Sequence, residues 1–212
     1  MVGRDGRRRQ PTVSGYSYVD QTISELSAEG APTRVFTTVA SGIPYAALMT
    51  VFGVGIRRAA GGTRAGRITA TLVVGEAVWG FAGGILFPMA IRGNEQTLRN
   101  SLHAPYGVGT PILFLLAMGF GTRLFGKRFR YVTYSSVVTL LVFGASTAMQ
   151  SGRIPANEPT PWLGVEERAN AYAAMLWLAV LAIALMRADG TVAPQQSEKP
   201  PVTARTMRAI PW

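Results

Sequence analysis

Five stretches of this chain are long enough to cross a bilayer and almost free of charge, and that one feature leaves few folds open. Residues 35–56 contain 22 residues with no Asp, Glu, Lys or Arg; residues 68–91 contain 24 with a single charge, Glu76; residues 104–122 contain 19; residues 131–152 contain 22; residues 169–186 contain 18. A hydrocarbon core about 30 Å thick is crossed by about 20 helical residues rising 1.5 Å each. The expected fold is therefore an all-α integral membrane bundle with five transmembrane helices at about 35–56, 68–91, 104–122, 131–150 and 169–186. A soluble helical bundle would set an apolar stripe against a charged face, and here neither face of any run is charged apart from Glu76.

Composition narrows the chemistry. Charged residues are 15% of the chain against the roughly 25% usual for soluble domains. With no cysteine, disulfides, thiol catalysis and iron–sulfur clusters are excluded. One histidine, His103, excludes a bis-histidine haem within one chain. No cofactor and no metal is expected. The basic start MVGRDGRRRQ is not followed by an apolar segment of signal-peptide type. Residues 1–33 read as a polar, turn-rich extramembrane tail, residues 34–187 as the transmembrane domain, and residues 188–212, rich in Pro, Ser, Thr and Gln, as a disordered cytoplasmic tail.

Sidedness follows from where Lys and Arg sit in short loops. Arg57, Arg58, Arg64 and Arg67 follow the first run, and Arg123, Lys127, Arg128 and Arg130 the third; Arg187, Lys199, Arg205 and Arg208 follow the fifth. The alternate loops carry Arg92 with Arg99, then Arg153 with Arg168. The richer loops belong in the cytoplasm, so the C-terminus is cytoplasmic in a bacterial inner membrane. Five spans then place the N-terminus outside, against the pull of Arg4, Arg7, Arg8 and Arg9. A further span before residue 1, a translocated basic tail, or a segment that never crosses would each resolve that conflict.

Glu76 is the one ionisable group inside a run, about eight residues and so about 12 Å from the cytoplasmic start of its helix. Inserting a charged side chain so deep costs about 2.5–3.5 kcal/mol. It must face the bundle, as a proton- or cation-linked site or as a hydrogen-bonded carboxyl, with Ser135, Ser136 or Thr139 as candidate partners. Gly80 and Gly84 form a GxxxG that suits close helix packing, within the chain or in a homo-oligomer. Pro44, Pro88 and Pro111 are expected to kink or end their helices. Trp162, Trp177, Tyr106, Tyr131 and Tyr172 lie mostly near run ends, as interfacial anchors do.

On the outer side the topology gathers Glu25, Glu29, Arg99, His103, Glu166, Glu167 and Arg168. A histidine among carboxylates is a weak candidate for acid–base catalysis, though it lacks the spacing of a metal site; a network of salt bridges and hydrogen bonds is the plainer reading. The clusters KRFR (127–130) and IRR (56–58) suit acidic lipid headgroups. No nucleic-acid binding is expected, because topology accounts for these patches.

Three phrases are more specific: GYSYVDQTISELSAEGAPTR (15–34), LFPMAIRGNEQTLRNSLHAPYG (86–107) and GVEERANAYAAMLWLAVLAIALMR (164–187). On them the chain, over roughly residues 15–187, resembles a bacterial multi-pass membrane family of unassigned activity, domain of unknown function 998. The resemblance implies six spans, with the ISELSA stretch following the first, whereas no apolar run precedes Gly15 here. It also implies, in many members, a second histidine after the PM pair, where this chain has Ala90.

The leading functional expectation is a binding or transport-like bundle for a small or lipidic molecule. Glu76 would be its intramembrane polar site, with Glu25, His103, Arg99, Glu167 and Arg168 forming the outer rim. The alternatives are an outer-leaflet enzyme with His103 as acid–base residue, which needs Glu25 or Glu167 within hydrogen-bond reach of it, and an accessory subunit packing through Gly80 and Gly84. Membrane lipids are the expected partners.

Overall fold

Pro44 has no N–H to give to a helix, and its ring crowds the carbonyl one turn back. The computed structural model, which describes residues 15–190, meets this demand with a π-helical stretch, Phe36–Gly42, that runs without interruption into α1, Ile43–Ala60. The wider π winding accommodates the proline where a kink or end was expected.

Helix α2, Arg64–Leu86, is capped at its start by Thr63, whose hydroxyl accepts from Gly66 N at 3.0 Å. It stops five residues short of the expected 91. Phe87 precedes Pro88, which bars it from the helical region, and it adopts φ −125° and ψ 61°. Residues 87–92 leave the helix as an irregular strip. The short α3, Leu98–Ser101, is closed by a capping box between Thr97 and Asn100, and α4, His103–Gly121, continues through Pro111 without ending. Helix α5, Lys127–Gln150, draws the KRFR cluster into its first turn. Helix α6, Leu163–Gly190, begins six residues before the expected 169, so Glu166, Glu167 and Arg168 lie on the helix itself. Cutting a sequence at its charges misplaces a helix end whenever those charges find partners.

Five helical stretches, Phe36–Ala60, Arg64–Leu86, Leu98–Gly121, Lys127–Arg153 and Leu163–Ala188, are long and apolar enough to cross a membrane, and no strand occurs among the described residues. In each, at most 33% of the most apolar window is buried. Leu48, Val51, Leu141 and Leu176 are exposed along the outside of the bundle. Lipid is the solvent such flanks require.

The helices pack chiefly as α1 on α2, α2 on α4 and α5 on α6, with α4–α5 and α1–α6 contacts closing the bundle. The core centres on Trp177, expected as an interfacial anchor but completely buried. Its Nε1 donates to Thr133 Oγ1 at 3.1 Å, and Phe129 and Gly121 lie against its ring. A buried indole needs an acceptor for its N–H, and Thr133 supplies one.

The two ends of the bundle differ in charge. One end carries Arg57, Arg58, Arg64, Arg67, Arg123, Lys127, Arg128, Arg130 and Arg187, with no Asp or Glu up to residue 188. The other mixes Arg34, Arg92, Arg99, Arg153 and Arg168 with Asp20, Glu25, Glu29, Glu95, Glu158, Glu166 and Glu167. Residues 15–34, expected as part of a tail, are folded across this second end as a cap. The basic N-terminal residues Arg4 to Arg9 and the tail beyond Gly190 lie outside the described residues.

Candidate functional site

The cap is built on the start of α6. Helix N-termini leave backbone N–H groups without intrahelical partners. Val165 N finds Val19 O at 3.1 Å, and Trp162 N finds the Asp20 carboxylate at 3.1 Å. Trp162 adopts φ +65°, an uncommon conformation for a bulky residue, and the Asp20 bond holds it there. One turn into α6, Arg168 reaches back and donates through Nη1 to the carbonyls of Tyr18 (2.9 Å), Gln21 (3.1 Å) and Gly164 (2.8 Å), and through Nη2 to Tyr16 Oη (2.5 Å). Its guanidinium carbon lies 3.8 Å from the centre of the Tyr18 ring. Five planar N–H donors in a fixed fork suit such carbonyl collection better than an ammonium does. A Cβ at position 164 would run into Gln21 O, which explains the glycine in GVEER.

The next part of the cap engages the other expected residues. Glu167 accepts from Ile23 N and, at 3.4 Å, from Ser24 Oγ. Glu166 turns the other way, toward α5, where it accepts from Ser146 Oγ at 2.6 Å and Gln150 Nε2 at 3.1 Å. Glu29 is tied to the strip after α2: its N donates to Met89 O at 2.8 Å, its carboxylate accepts from Asn100 Nδ2 at 3.0 Å, and Arg34 and Arg99 stand 3.7 and 3.6 Å from it. Arg99 also donates to the last carbonyls of α2, Leu86 O at 2.7 Å and Ile85 O.

Glu25 is the buried centre of this end, 8% exposed. Arg92 approaches its Oε1 with Nε at 2.9 Å and Nη2 at 2.8 Å. The same guanidinium donates to Glu158 O and Thr160 Oγ1, both at 2.9 Å, and Thr160 in turn donates to Asp20 O at 2.7 Å. Glu25 Oε2 is buried without a hydrogen-bond partner. Burial pushes the Glu25 carboxyl above the usual carboxylate range, with the Arg92 charge opposing. Beside it lies a cleft of about 220 Å³ lined by Tyr16, Gln21, Glu25, Ile91, Arg92 and Asn157. Gly93 holds φ +77° with Asn157, one of the lining residues, packed where a side chain would stand.

His103 does not join this cluster. Its Nδ1 pairs with Phe87 O at 2.7 Å and its ring lies beside Tyr106, whereas Glu25 and Glu167 are bound by other groups. The hydrogen bond that acid–base work at His103 requires is therefore not formed. Among the described residues no group of three or more metal-ligating side chains assembles.

Within the bundle Glu76 is 3% exposed and accepts from Tyr45 Oη at 3.0 Å. The partner is thus a tyrosine on α1, immediately after Pro44, and not Ser135, Ser136 or Thr139 on α5. Close packing on α2 also lies one residue away from the expected GxxxG. The Tyr106 ring sits against Gly83, and its hydroxyl donates to Gly80 O at 2.9 Å, while Gly84 faces open space.

The sequence singles out Glu25, Glu76, Arg99, Glu167 and Arg168 but not Arg92, Tyr45 and Tyr16 as the partners of Glu25, Glu76 and Arg168, nor Asp20 and Asn100, which bind Trp162 N and Glu29. In the sequence Arg92 reads as a basic residue of an outer loop, with nothing to mark it as the partner of Glu25. Yet Tyr16 and Asp20 lie in GYSYVDQT, and Arg92 and Asn100 in the PMAIRG–RNSLH stretch, the phrases that carried the resemblance. No curated protein and no solved structure matches the chain. A family model does match, over residues 10–184, and the chain belongs to that family, described as "Protein of unknown function (DUF998)".

Proposed function

We propose that this multi-pass membrane protein is a small-molecule-binding, transport-like bundle of the bacterial inner membrane, with its basic end in the cytoplasm and its cap outside. The observation that carries the reading is Glu25, which lines the cap cleft beside Arg92 while its Oε2 is buried without a hydrogen-bond partner. Leaving a buried acceptor unsatisfied costs about 1–3 kcal/mol, and a hydrogen-bond donor or a positive charge in the cleft recovers it when the Glu25 carboxyl turns to meet it. A cleft of about 220 Å³ lies below the range of about 300–1,000 Å³ for drug-sized ligands, so the ligand is small. The cleft is bordered by residues just before the first span and just after α2. These are the two helices that carry Tyr45 and Glu76, so the outer acceptor and the intramembrane carboxyl share one helix pair. Bilayer lipids cover the apolar flanks, and Gly84, open on the outside of α2, is the place for self-association if the bundle forms a homo-oligomer.

The test is thermal unfolding of the detergent-purified protein with ethanolamine, which offers an ammonium and a hydroxyl, and with glycerol, which offers hydroxyls alone. Ethanolamine is expected to raise the midpoint of the wild type and to leave Glu25→Gln unmoved. If neither probe stabilises the wild type more than Glu25→Gln, the cleft is not a ligand site and the reading fails.

A further inference from the structure

We propose that the groove between α1 and α2 at the basic end seats the phosphate headgroup of an anionic phospholipid. The turn Gly61–Gly62 joins the two helices and brings Arg57, from the last turn of α1, and Arg67, from the first turns of α2, to the walls of one groove of about 420 Å³. Arg67 Nη1 donates to Gly61 O at 3.1 Å, which fixes its guanidinium across the turn. Its remaining donors, and those of Arg57, meet no acceptor among the described residues. Two guanidiniums lining one groove with no carboxylate among its lining residues make it a positive site, and Arg is suited to bidentate phosphate contact.

The rest of the groove distinguishes a lipid from a free anion. Arg67 and Thr71 form one i, i+4 row on α2, and Ile68 and Leu72 form the adjacent row; all four line the groove. The Thr71 hydroxyl is bound back to its own helix, donating to Arg67 O at 3.0 Å. The Ile68–Leu72 row therefore continues from the arginines toward the middle of α2 as an apolar wall. Inorganic phosphate has no use for such a wall, whereas a phospholipid places its phosphate on the arginines and the top of an acyl chain against Ile68 and Leu72. Seven further basic residues at this end hold anionic lipid near the groove.

The experiment measures lipid retained by the full chain after purification in detergent micelles doped with equal phosphatidylglycerol and phosphatidylcholine, read by native mass spectrometry. The wild type is expected to retain phosphatidylglycerol several-fold over phosphatidylcholine. Arg57→Ala with Arg67→Ala is expected to lower that retention several-fold, and Arg128→Ala with Arg130→Ala, which removes equal charge nearby, less than twofold. Leu72→Glu, which leaves both arginines in place and sets a carboxylate on the apolar wall, should produce a loss like that of the first pair. Millimolar inorganic phosphate should not displace the bound lipid. Equal loss in the two arginine pairs, equal retention of the two lipids, an unaffected Leu72→Glu protein, or displacement by phosphate would each overturn the assignment.

Discussion

Arg92 closes on Glu25 with two nitrogens of one guanidinium, both bound to Oε1, and leaves Oε2 buried and unpaired. The two residues are 67 positions apart, and their meeting fixes the cap to the strip that follows α2. Because Arg92 also binds Glu158 O and Thr160 Oγ1, a single side chain joins three segments that would otherwise be separate loops.

That pair makes stability depend on pH in a defined direction. Burial raises the Glu25 carboxyl above its ordinary value of 4.5, against the lowering effect of Arg92. A folded state that holds the proton more tightly than the unfolded chain is favoured at low pH. The contribution of Glu25 is therefore greatest below 4.5, is lost as pH rises from 4.5 to the raised value, and is constant above it. Other carboxylates of this end also titrate, so the quantity to measure is the difference between wild type and Glu25→Gln in thermal unfolding across pH 4–8. The wild type is expected to lose stability relative to Glu25→Gln as pH rises through that interval. A flat difference would show that Arg92 offsets burial, and a slope the other way that Arg92 outweighs it.

Gly83 and Gly84 are neighbours with opposite surroundings. A Cβ at position 83 overlaps the Tyr106 ring, which also anchors to Gly80 O, whereas one at position 84 meets nothing. Gly83→Ala forces the ring away and is expected to destabilise by about 1–3 kcal/mol, as overpacked sites do. Gly84→Ala is expected to stay within about 0.5 kcal/mol of the wild type, as ordinary surface changes do. Unfolding midpoints in one detergent suffice, and similar values for the two variants would mean that Tyr106 does not pack on α2 as described.

The spans were legible in the sequence because lipid forbids charge on every face of a helix, a constraint that needs no tertiary knowledge. The cap was not legible. Residues 15–34 have no apolar period, so the sequence makes them a tail. They are ordered by contacts the sequence does not display, chiefly the carbonyls of Tyr18 and Gln21 collected by Arg168. Glu76 was recognisable as an intramembrane carboxyl, but not its partner, since Tyr45 reads equally well as one more apolar ring in the first run. The ends of α2 and α6 were misplaced for related reasons. At α2 the pre-proline backbone rule overrides apolar continuity, and at α6 a capped helix tolerates Glu166, Glu167 and Arg168 in its first turns.

Tyr45 and Glu76 make a polar contact between α1 and α2, a pair whose worth is set by what each leaves behind. Tyr45→Phe strands the Glu76 carboxyl and is expected to cost about 1–3 kcal/mol. Glu76→Leu removes the carboxyl and leaves the Tyr45 hydroxyl to be satisfied. If the pair acts as a unit, the double variant Tyr45→Phe with Glu76→Leu is less destabilised than the sum of the two, by about 0.5–3 kcal/mol of coupling. Strict additivity in that cycle would mean that the hydroxyl and carboxyl do not depend on each other.

Sidedness is the remaining link between the charge pattern and the proposed function, and the absence of cysteine makes it directly measurable. A chain without native thiols gives no background to a membrane-impermeant maleimide. Gly62→Cys lies in the exposed turn at the basic end, and Ala156→Cys in the exposed loop at the capped end. In intact cells whose outer membrane has been permeabilised, Ala156→Cys is expected to react and Gly62→Cys to react only after the inner membrane is broken. One end carries nine basic residues and no described carboxylate up to residue 188, and the K/R bias of short loops sets orientation. The reverse labelling pattern would put the cap and the Glu25 cleft in the cytoplasm. The cleft would keep its geometry, and its ligand would then have to come from the inside.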